Sequence, residues 1–209
     1  DTGGIIFKVT GDSITSWFDD VVVERNHIQN CEMEGISVAR GGSAEALSTN
    51  IYLRRNLVED IKGDGIAAIY CQSAVIEYNK AVRCALAQQS STAAINIDKS
   101  NNGIIQYNEV YNTERGRLSG YAYCVSYLCQ DTIVQYNYSQ GNEKAFVRVQ
   151  SGPTYGYSSN TVIRYNISVG DGYGGNENDD DGVVSIHGPV ENEQLYNAQI
   201  YNNLFITYA

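Results

Sequence analysis

The sequence predicts an all-β solenoid of stacked parallel coils, because its composition, a recurring phrase and the spacing of that phrase agree. The 209 residues include 20 Gly, 20 Asn and 17 Tyr, against 2 Pro and 1 Trp. Asn and Gly disfavour helix interiors, so this composition argues against a helical bundle. Hydrophobic residues at 43% are enough for a sizeable core, and charged residues at 18% are too few for a disordered chain.

A six-residue phrase recurs seven times along the chain. Each copy ends in Asn and has Val, Leu or Ile three positions earlier. The terminal residues of the phrase are Asn26, Asn56, Asn79, Asn108, Asn137, Asn166 and Asn203. Successive copies lie 23 to 37 residues apart, with three consecutive intervals of 29 residues. Such a period is typical of repeat proteins, in which each unit stacks on its neighbours.

Each repeat is expected to hold three short strands. The first precedes the Asn, the second follows it directly, and the third is a later apolar run such as Phe146 to Val149. Because no strand is long enough to bury a face alone, equivalent strands should stack about 4.8 Å apart and form parallel sheets. The repeated Asn is expected at a corner, in a left-handed conformation, with its amide hydrogen-bonded from coil to coil.

The repeat resembles the right-handed parallel β-helix of the pectin-lyase-like superfamily. The resemblance rests on the repeated pattern of a polar residue, three β-forming residues, two variable residues and Asn. The phrases Gln106-Tyr-Asn-Glu-Val-Tyr-Asn112 and Arg164-Tyr-Asn-Ile-Ser168 are similar to those of secreted bacterial proteins associated with polysaccharides. The resemblance therefore implies a polysaccharide partner and an extracellular or cell-surface location. It leaves the activity open, because lyases, hydrolases, epimerases, tailspikes and inert solenoids share the ladder residues.

Charge and apolar run length exclude two classes of partner. The net charge of −10 argues against nucleic acid, whose phosphates require clustered Lys and Arg. No apolar run approaches the ~18 residues of a membrane span, so we expect no membrane partner. We expect one β-helix domain over residues 1–209, starting and ending in mid-coil. Cys31, Cys71, Cys84 and Cys129 are expected to be small buried residues, since this stacking places them beyond disulfide reach, whereas the state of Cys124 stays open.

Coil length indicates where loops gather. Relative to the shortest coil, of 23 residues, extra residues precede the third strand at 85–92, 113–121 and 171–181. Further extra residues follow the third strand at 41–48, 151–159 and 188–194. Loops on both sides would wall a groove over the third strands, and such a groove suits an extended polysaccharide.

Alternation along the third strands predicts the groove floor. Two outward columns are expected: Asn96, Ser126, Arg148 and Ser185 in one, and Asp98, Leu128, Gln150 and His187 in the other. The candidate catalytic residues are Arg148, His187 and Asp98. Arg can neutralise a uronate carboxylate, and a nearby His can act as acid or base in β-elimination. The plainer interpretation is a solvated charge at Arg148 and a turn residue at His187.

Tyrosines and an acidic loop supply the remaining candidates. Tyrosines in or beside the loops could stack on sugar rings, namely Tyr121, Tyr123, Tyr155, Tyr157 and Tyr173. Asp179, Asp180 and Asp181 could supply glycosidase carboxylates together with Asp98, or could bind calcium, which prefers clustered oxygen ligands. A solvated loop explains the same acidic run, and the cofactor stays unknown.

Two functional hypotheses follow from these patterns. The leading hypothesis is extracellular carbohydrate recognition in the groove over the third strands, with lyase or glycoside hydrolase activity if the protein is an enzyme. The segment from Ser119 to Tyr127 contains hydroxyls and aromatics but no acid, which weakens the enzyme hypothesis. The alternative is a structural solenoid that stacks end to end into a filament, or forms the middle of a longer fibre or spike.

Overall fold

A computed structural model describes residues 2–10, 15–86, 92–113, 120–152, 156–174, 182–187 and 197–208. These residues form three parallel sheets in which each strand pairs with its equivalents in the neighbouring coils. The fold is the predicted right-handed parallel β-helix of the pectin-lyase-like type, with about seven coils. The part of the chain that the structure describes holds no helix long and apolar enough to cross a membrane.

The three sheets correspond to the three strands predicted for each repeat. The first sheet contains Asp19–Glu24, Ser48–Arg54, Val75–Glu77, Ile104–Gln106, Ile133–Gln135, Val162–Arg164 and Gln199–Tyr201, with Cys71–Gln72 pairing beside it. The second contains His27–Cys31, Leu57–Ile61, Lys80–Val82, Glu109–Tyr111, Tyr138–Gln140, Ile167–Val169 and Leu204–Ile206. The third contains Ile5–Lys8, Ile36–Arg40, Ile66–Ile69, Ala93–Asp98, Tyr121–Val125, Val147–Gln150 and Val184–His187. We number the coils 1 to 7 by their repeated Asn, from Asn26 to Asn203.

The repeated Asn residues form a continuous ladder at the corner between the first and second sheets. The Oδ1 atom of Asn108 accepts from both the backbone N and the Nδ2 of Asn79, at 2.9 and 3.0 Å. In turn, Nδ2 of Asn108 donates to the Ile76 carbonyl at 2.9 Å and to Oδ1 of Asn137 at 3.1 Å. The predicted coil-to-coil amide bonding is therefore confirmed, and it satisfies buried polar groups that would otherwise destabilise the corner.

The predicted left-handed conformation of these Asn residues is wrong by one position. Positive φ values occur at the residue just before each Asn, for example 54° at Tyr107 and 55° at Tyr136. The chain therefore turns on the preceding residue, which leaves the Asn side chain directed inward to bond its neighbours. The tyrosines at this turning position stack from coil to coil, with ring centroids 5.0 to 5.2 Å apart.

Aliphatic columns fill the interior of the helix. The residues three positions before the ladder Asn are almost fully buried in coils 1 to 6, namely Val23, Leu53, Ile76, Ile105, Val134 and Ile163. All five cysteines are free and buried, which confirms the prediction for Cys31, Cys71, Cys84 and Cys129 and adds Cys124 to them. Burial raises the pKa of the Cys71, Cys84 and Cys124 thiols to about 12, which makes them inert packing residues.

Candidate functional site

The outer face of the third sheet differs from the outer faces of the other two sheets. On the first and second sheets, outward residues such as Ile104 and Glu109 are half-buried or exposed. On the third sheet, the outward polar residues Asn96, Ser126 and Gln150 are 8%, 7% and 4% exposed. This face therefore provides polar groups in an enclosed setting, where electrostatic interactions are stronger than in water.

Strand pairing corrects one coil of the predicted floor. Asn96 pairs with Cys124, Cys124 with Arg148, and Arg148 with Ser185. Cys124 therefore takes the place predicted for Ser126, and Ser126 takes the place predicted for Leu128 beside Gln150. The shift arises because the coil 4 strand ends at Val125, two residues before the predicted end at Tyr127.

A buried carboxylate lies at the edge of this face. Asp64 lies two residues before the coil 2 strand, which begins at Ile66, and its Oδ1 accepts from the backbone N of Ala93 at 2.8 Å. Its Oδ2 accepts from Nδ2 of Asn96 at 3.1 Å. Burial raises the pKa of Asp64 to about 7, and the negative charges of Glu34 and Asp98 add to the increase. A carboxyl group that titrates near neutral pH can donate and accept protons in catalysis.

Hydrogen bonds continue from Asp64 across the face. Oγ of Ser126 donates to Oδ1 of Asn96 at 3.0 Å and lies 3.4 Å from Oε1 of Gln150. Nε2 of Gln150 donates to the Tyr127 hydroxyl at 3.2 Å. Polar groups from coils 2 to 5 are thus linked in one network, which orients Asp64 and Asn96.

Asp98 lies two residues beyond Asn96 on the same strand, as predicted for the floor. Its Oδ2 is 2.6 Å from Nζ of Lys99, and its side chain is 15% exposed. Burial raises the pKa of Asp98, and the bonded Lys99 opposes that increase. Its other oxygen, Oδ1, is buried without a hydrogen-bond partner among the described residues. A carboxylate oxygen in that state favours the protonated form of the group, in agreement with its raised pKa.

A cationic cluster lies at the opposite end of the face. The guanidinium carbon of Arg148 lies 4.8 Å from the ring centroid of Tyr121, and Nζ of Lys144 lies 5.1 Å from the same centroid. Nζ of Lys144 also donates to the Tyr121 hydroxyl at 3.3 Å. The face therefore has an acidic end, with Asp64 and Asp98, and a basic end around Tyr121.

The predicted catalytic residues share the face but do not converge on one point. Arg148 and His187 come from neighbouring coils, since Gln150 pairs with His187. Asp98 lies three coils from His187, which is roughly 14 Å at 4.8 Å per coil. Direct proton exchange between Asp98 and His187 is therefore excluded.

Of the five tyrosines predicted to stack on sugar rings, two are buried, two are exposed and one lies outside the described residues. Tyr123 is wrong as a sugar-stacking residue, because it is fully buried in the core and its hydroxyl donates to the carbonyls of Asn108 and Tyr138. Tyr121 is buried beneath Lys144 and Arg148, so it supports these cations instead of offering a free ring face. Tyr157 and Tyr173 are exposed. Tyr155 lies outside the described residues, as do Asp179, Asp180 and Asp181 with the predicted calcium site.

Sequence reasoning missed Asp64 and Lys144. Asp64 lies between Gly63 and Gly65, and this Gly-Asp-Gly phrase marks a turn that brings an acid directly in front of a third strand. That phrase could have identified Asp64. The sequence carries no comparable signal for Lys144, because its position over Tyr121 depends on contacts between coils.

Residues that prefer soft metals are dispersed. Both histidines, all five cysteines and the single methionine fall within the described residues. His27 lies on the second sheet in coil 1, where it contacts Glu59 at 2.8 Å, whereas His187 lies on the third sheet in coil 6. Across the described ranges, no group of three or more His, Cys, Asp or Glu residues is arranged to hold a metal ion.

Three known proteins and one protein family are similar to this chain. A lacto-N-biosidase of Bifidobacterium longum subsp. longum is 29% identical over 89% of this chain, which spans only 13% of that protein. The crystal structure of a GH136 lacto-N-biosidase from Eubacterium ramulus matches 78% of this chain and 29% of its own, with a TM-score of 0.54 and 21% identity. An alginate lyase from Paenibacillus matches 92% of this chain and 74% of its own, with a TM-score of 0.51 and 13% identity.

The two structural matches have the same fold at low sequence identity. A family model matches residues 3–181, which is most of the chain. The chain belongs to the family described as periplasmic copper-binding protein (NosD).

Proposed function

We propose that this β-helix is a carbohydrate-active protein that binds an oligosaccharide or polysaccharide on the outer face of its third sheet. The observation that carries the proposal is the enclosed polar character of this face, which holds Asp64 with a pKa of about 7. Similarity to lacto-N-biosidase and to the fold of an alginate lyase supports the same class of ligand. An extracellular or cell-surface location follows from such a ligand.

The two ends of the face have different roles in this proposal. At the acidic end, Asp64 exchanges a proton with the glycosidic oxygen or with a ring carbon, while the negative charge of Asp98 helps to raise the pKa of Asp64. At the basic end, Arg148 and Lys144 neutralise an acidic group of the sugar, and His187 borders the same end. In hydrolysis, protonated Asp64 gives its proton to the glycosidic oxygen as the bond to the leaving sugar breaks, and water adds to the anomeric carbon. In β-elimination, ionised Asp64 takes the proton from the ring carbon beside the acidic group, and the sugar leaves as a carbon–carbon double bond forms.

Copper takes no part in the proposed chemistry. The family description names copper, but the two histidines of this chain lie five coils apart, on different sheets. Cys31 and Cys84 lie on either side of coil 2, roughly 9.6 Å apart at 4.8 Å per coil, so they cannot share one ion. Within the described ranges, therefore, no set of residues fits a copper site, and we derive no step through the metal.

The proposal is tested by binding and turnover with two glycan probes. We expect the wild-type protein to bind either a lacto-N-biose-containing oligosaccharide or an alginate oligosaccharide in titration calorimetry. The double variant Arg148→Ala/His187→Ala should weaken binding at least tenfold, about 1.4 kcal/mol. The matched control is Arg164→Ala/His27→Ala, which removes the same residue types from the outer faces of the first and second sheets. Equal losses in both double variants, or no loss in either, would overturn the assignment of this face.

A second measurement separates binding from catalysis. If the protein turns over a glycan, Asp64→Asn should abolish turnover while leaving binding within a few-fold of wild type. Unsaturated products would identify a lyase, and a new reducing end without unsaturation would identify a hydrolase. Turnover by Asp64→Asn at the wild-type rate would remove Asp64 from the mechanism.

End-to-end stacking into a filament stays a prediction, with no support from the comparisons. Light scattering at increasing protein concentration tests it, and a constant monomer mass would exclude it.

A further inference from the structure

The corner between the second and third sheets is apolar in the first three coils and polar in the next three. In coils 1 to 3 the residue five positions after the ladder Asn is apolar, namely Cys31, Ile61 and Cys84. In coils 4 to 6 the same position holds Thr113, Asn142 and Asp171, all of them buried. A buried polar residue destabilises a core unless it is hydrogen-bonded, so this change requires an explanation.

The three polar residues form a second ladder. The backbone N of Thr113 donates to Oδ1 of Asn142 at 3.0 Å. The backbone N and Nδ2 of Asn142 both donate to Oδ1 of Asp171, at 2.9 and 2.7 Å. Two hydroxyls from inside the helix, those of Ser139 and Ser168, donate to Oδ2 of Asp171. The carboxylate at the end of the ladder thus accepts four hydrogen bonds.

This second ladder is connected directly to the cationic cluster of the groove. Oγ1 of Thr113 donates to the carbonyl of Gly120 at 2.6 Å. The backbone N of Lys144 donates to the same carbonyl at 3.2 Å. Gly120 directly precedes Tyr121, the ring under both Lys144 and Arg148. The Gly120 carbonyl is therefore the point at which the ladder sets the position of Tyr121 and the Lys144 backbone.

The chain beyond Asp171 is held in the same way. The backbone N of Gly172 donates to the carbonyls of Asn142 and Lys144, both at 3.0 Å. Gly172 has a φ of 76°, which a residue with a side chain would adopt only with strain. The backbone of Lys144 is therefore hydrogen-bonded to coil 4 through its N and to coil 6 through its carbonyl.

We infer that Thr113, Asn142 and Asp171 are positioning residues that hold Tyr121 and Lys144 in the geometry required for ligand binding at the basic end of the groove. This inference rests on the proposed function, because it assigns the ladder to that site. The Asn ladder at the other corner contacts the same strand from inside the core, where the Tyr123 hydroxyl donates to the Asn108 carbonyl at 3.1 Å. The second ladder contacts the start of that strand, through the Gly120 carbonyl.

The test compares two alanine variants in the same coil. Asn142→Ala and Asn137→Ala each remove one buried ladder amide, and both residues are at most 2% exposed. Both variants should lower the unfolding free energy by similar amounts. Only Asn142→Ala should accelerate amide hydrogen exchange of residues 120–125, by about tenfold, because only that variant removes the acceptor of the Thr113 backbone N and so loosens the bond from Thr113 to Gly120. Equal exchange of that segment in the two variants would overturn the inference.

Two further variants keep the test informative if Asn142→Ala does not fold. Thr113→Val preserves volume and removes only the hydroxyl bond to Gly120, so it should also accelerate exchange of residues 120–125. Asp171→Asn keeps an acceptor for Asn142 and should restore near-wild-type exchange, in contrast to Asp171→Ala. An unchanged exchange rate in Thr113→Val would contradict the role of the Gly120 carbonyl.

Measuring the ligand affinity of the same variants tests whether the second ladder matters for binding. With the alginate oligosaccharide as probe, Asn142→Ala should raise the dissociation constant about tenfold, and Asn137→Ala should leave it unchanged. If the wild-type protein bound neither glycan probe but the exchange difference were present, the proposed ligand would be wrong and the positioning of the groove would stand. Faster exchange without weaker binding would overturn the assignment of the ladder to ligand binding.

Discussion

Replacing Asp64 with Asn should remove a large part of the pH dependence of stability. The folded protein raises the pKa of Asp64 from 3.8 to about 7, mainly through burial. Between these two values the folded state holds a proton that the unfolded state has released, so the unfolding free energy falls as pH rises. Each pKa unit corresponds to about 1.4 kcal/mol, so the full effect is about 4 kcal/mol.

The folded and unfolded pKa values of Asp64 set the pH range over which stability should change. The stabilisation from protonated Asp64 is fully present below about pH 4 and is lost as pH rises to about 7. Asn cannot ionise, so Asp64→Asn should lack this loss. The free energy of unfolding of the variant, relative to wild type, should therefore increase by about 4 kcal/mol between pH 4 and pH 8.

Urea denaturation followed by tyrosine fluorescence at several pH values measures this difference. Titrations of groups that do not interact with Asp64 cancel, since both proteins share them. The control is Asp60→Asn, because Asp60 bonds to Arg83 and its pKa is lowered below 3.8. Its contribution to stability is lost only below about pH 4, so the difference between Asp60→Asn and wild type should stay nearly constant from pH 4 to pH 8. A difference between Asp64→Asn and wild type that stays constant to within about 1 kcal/mol across this range would refute the raised pKa of Asp64.

Three further predictions concern the fold. Asn108→Ala should lower the unfolding free energy by about 3 kcal/mol in urea denaturation, because the backbone N of Asn79 and the carbonyl of Ile76 would lose buried partners. Ile105→Ala should cost about 2–5 kcal/mol, whereas the outward neighbour Ile104→Ala should cost much less, and equal costs would contradict the strand register. A thiol reagent should label none of the five cysteines in the folded protein and all five in denaturant, and rapid labelling of any in the folded state would contradict their burial.

The fold was largely predictable because its main contacts repeat at fixed intervals. Asn137 contacts Asn108 and Asn166, which occupy the same place in neighbouring coils, so one repeated residue type reveals the whole corner. The floor was less predictable. The exact end of the Tyr121–Val125 strand decided whether Cys124 or Ser126 lay beside Arg148, and alternation alone does not determine where a strand ends.

The candidate site was predicted in location and only partly in composition. Arg148, His187 and Asp98 lie on the predicted face because alternation placed them there. Tyr123 was misplaced because the same alternation directs its ring into the core, where its hydroxyl finds two backbone carbonyls. Lys144 could not be predicted, since its contact with Tyr121 depends on Gly120 and the second ladder.

The two ladders together explain why the candidate site lies on the third sheet. Each Asn of the first ladder bonds the Asn before and after it, so a change at this corner disturbs two neighbours, and insertions are confined to the ends of the third strands. The second corner does not require the same residue in every coil, because in coils 1 to 3 it is filled by the apolar residues Cys31, Ile61 and Cys84. Its change to Thr113, Asn142 and Asp171 in coils 4 to 6 coincides with the coils that carry Tyr121, Lys144 and Arg148. A corner that apolar residues can stabilise gains nothing in stability from a buried carboxylate, so the polar ladder is best explained by the positions it gives to the groove residues.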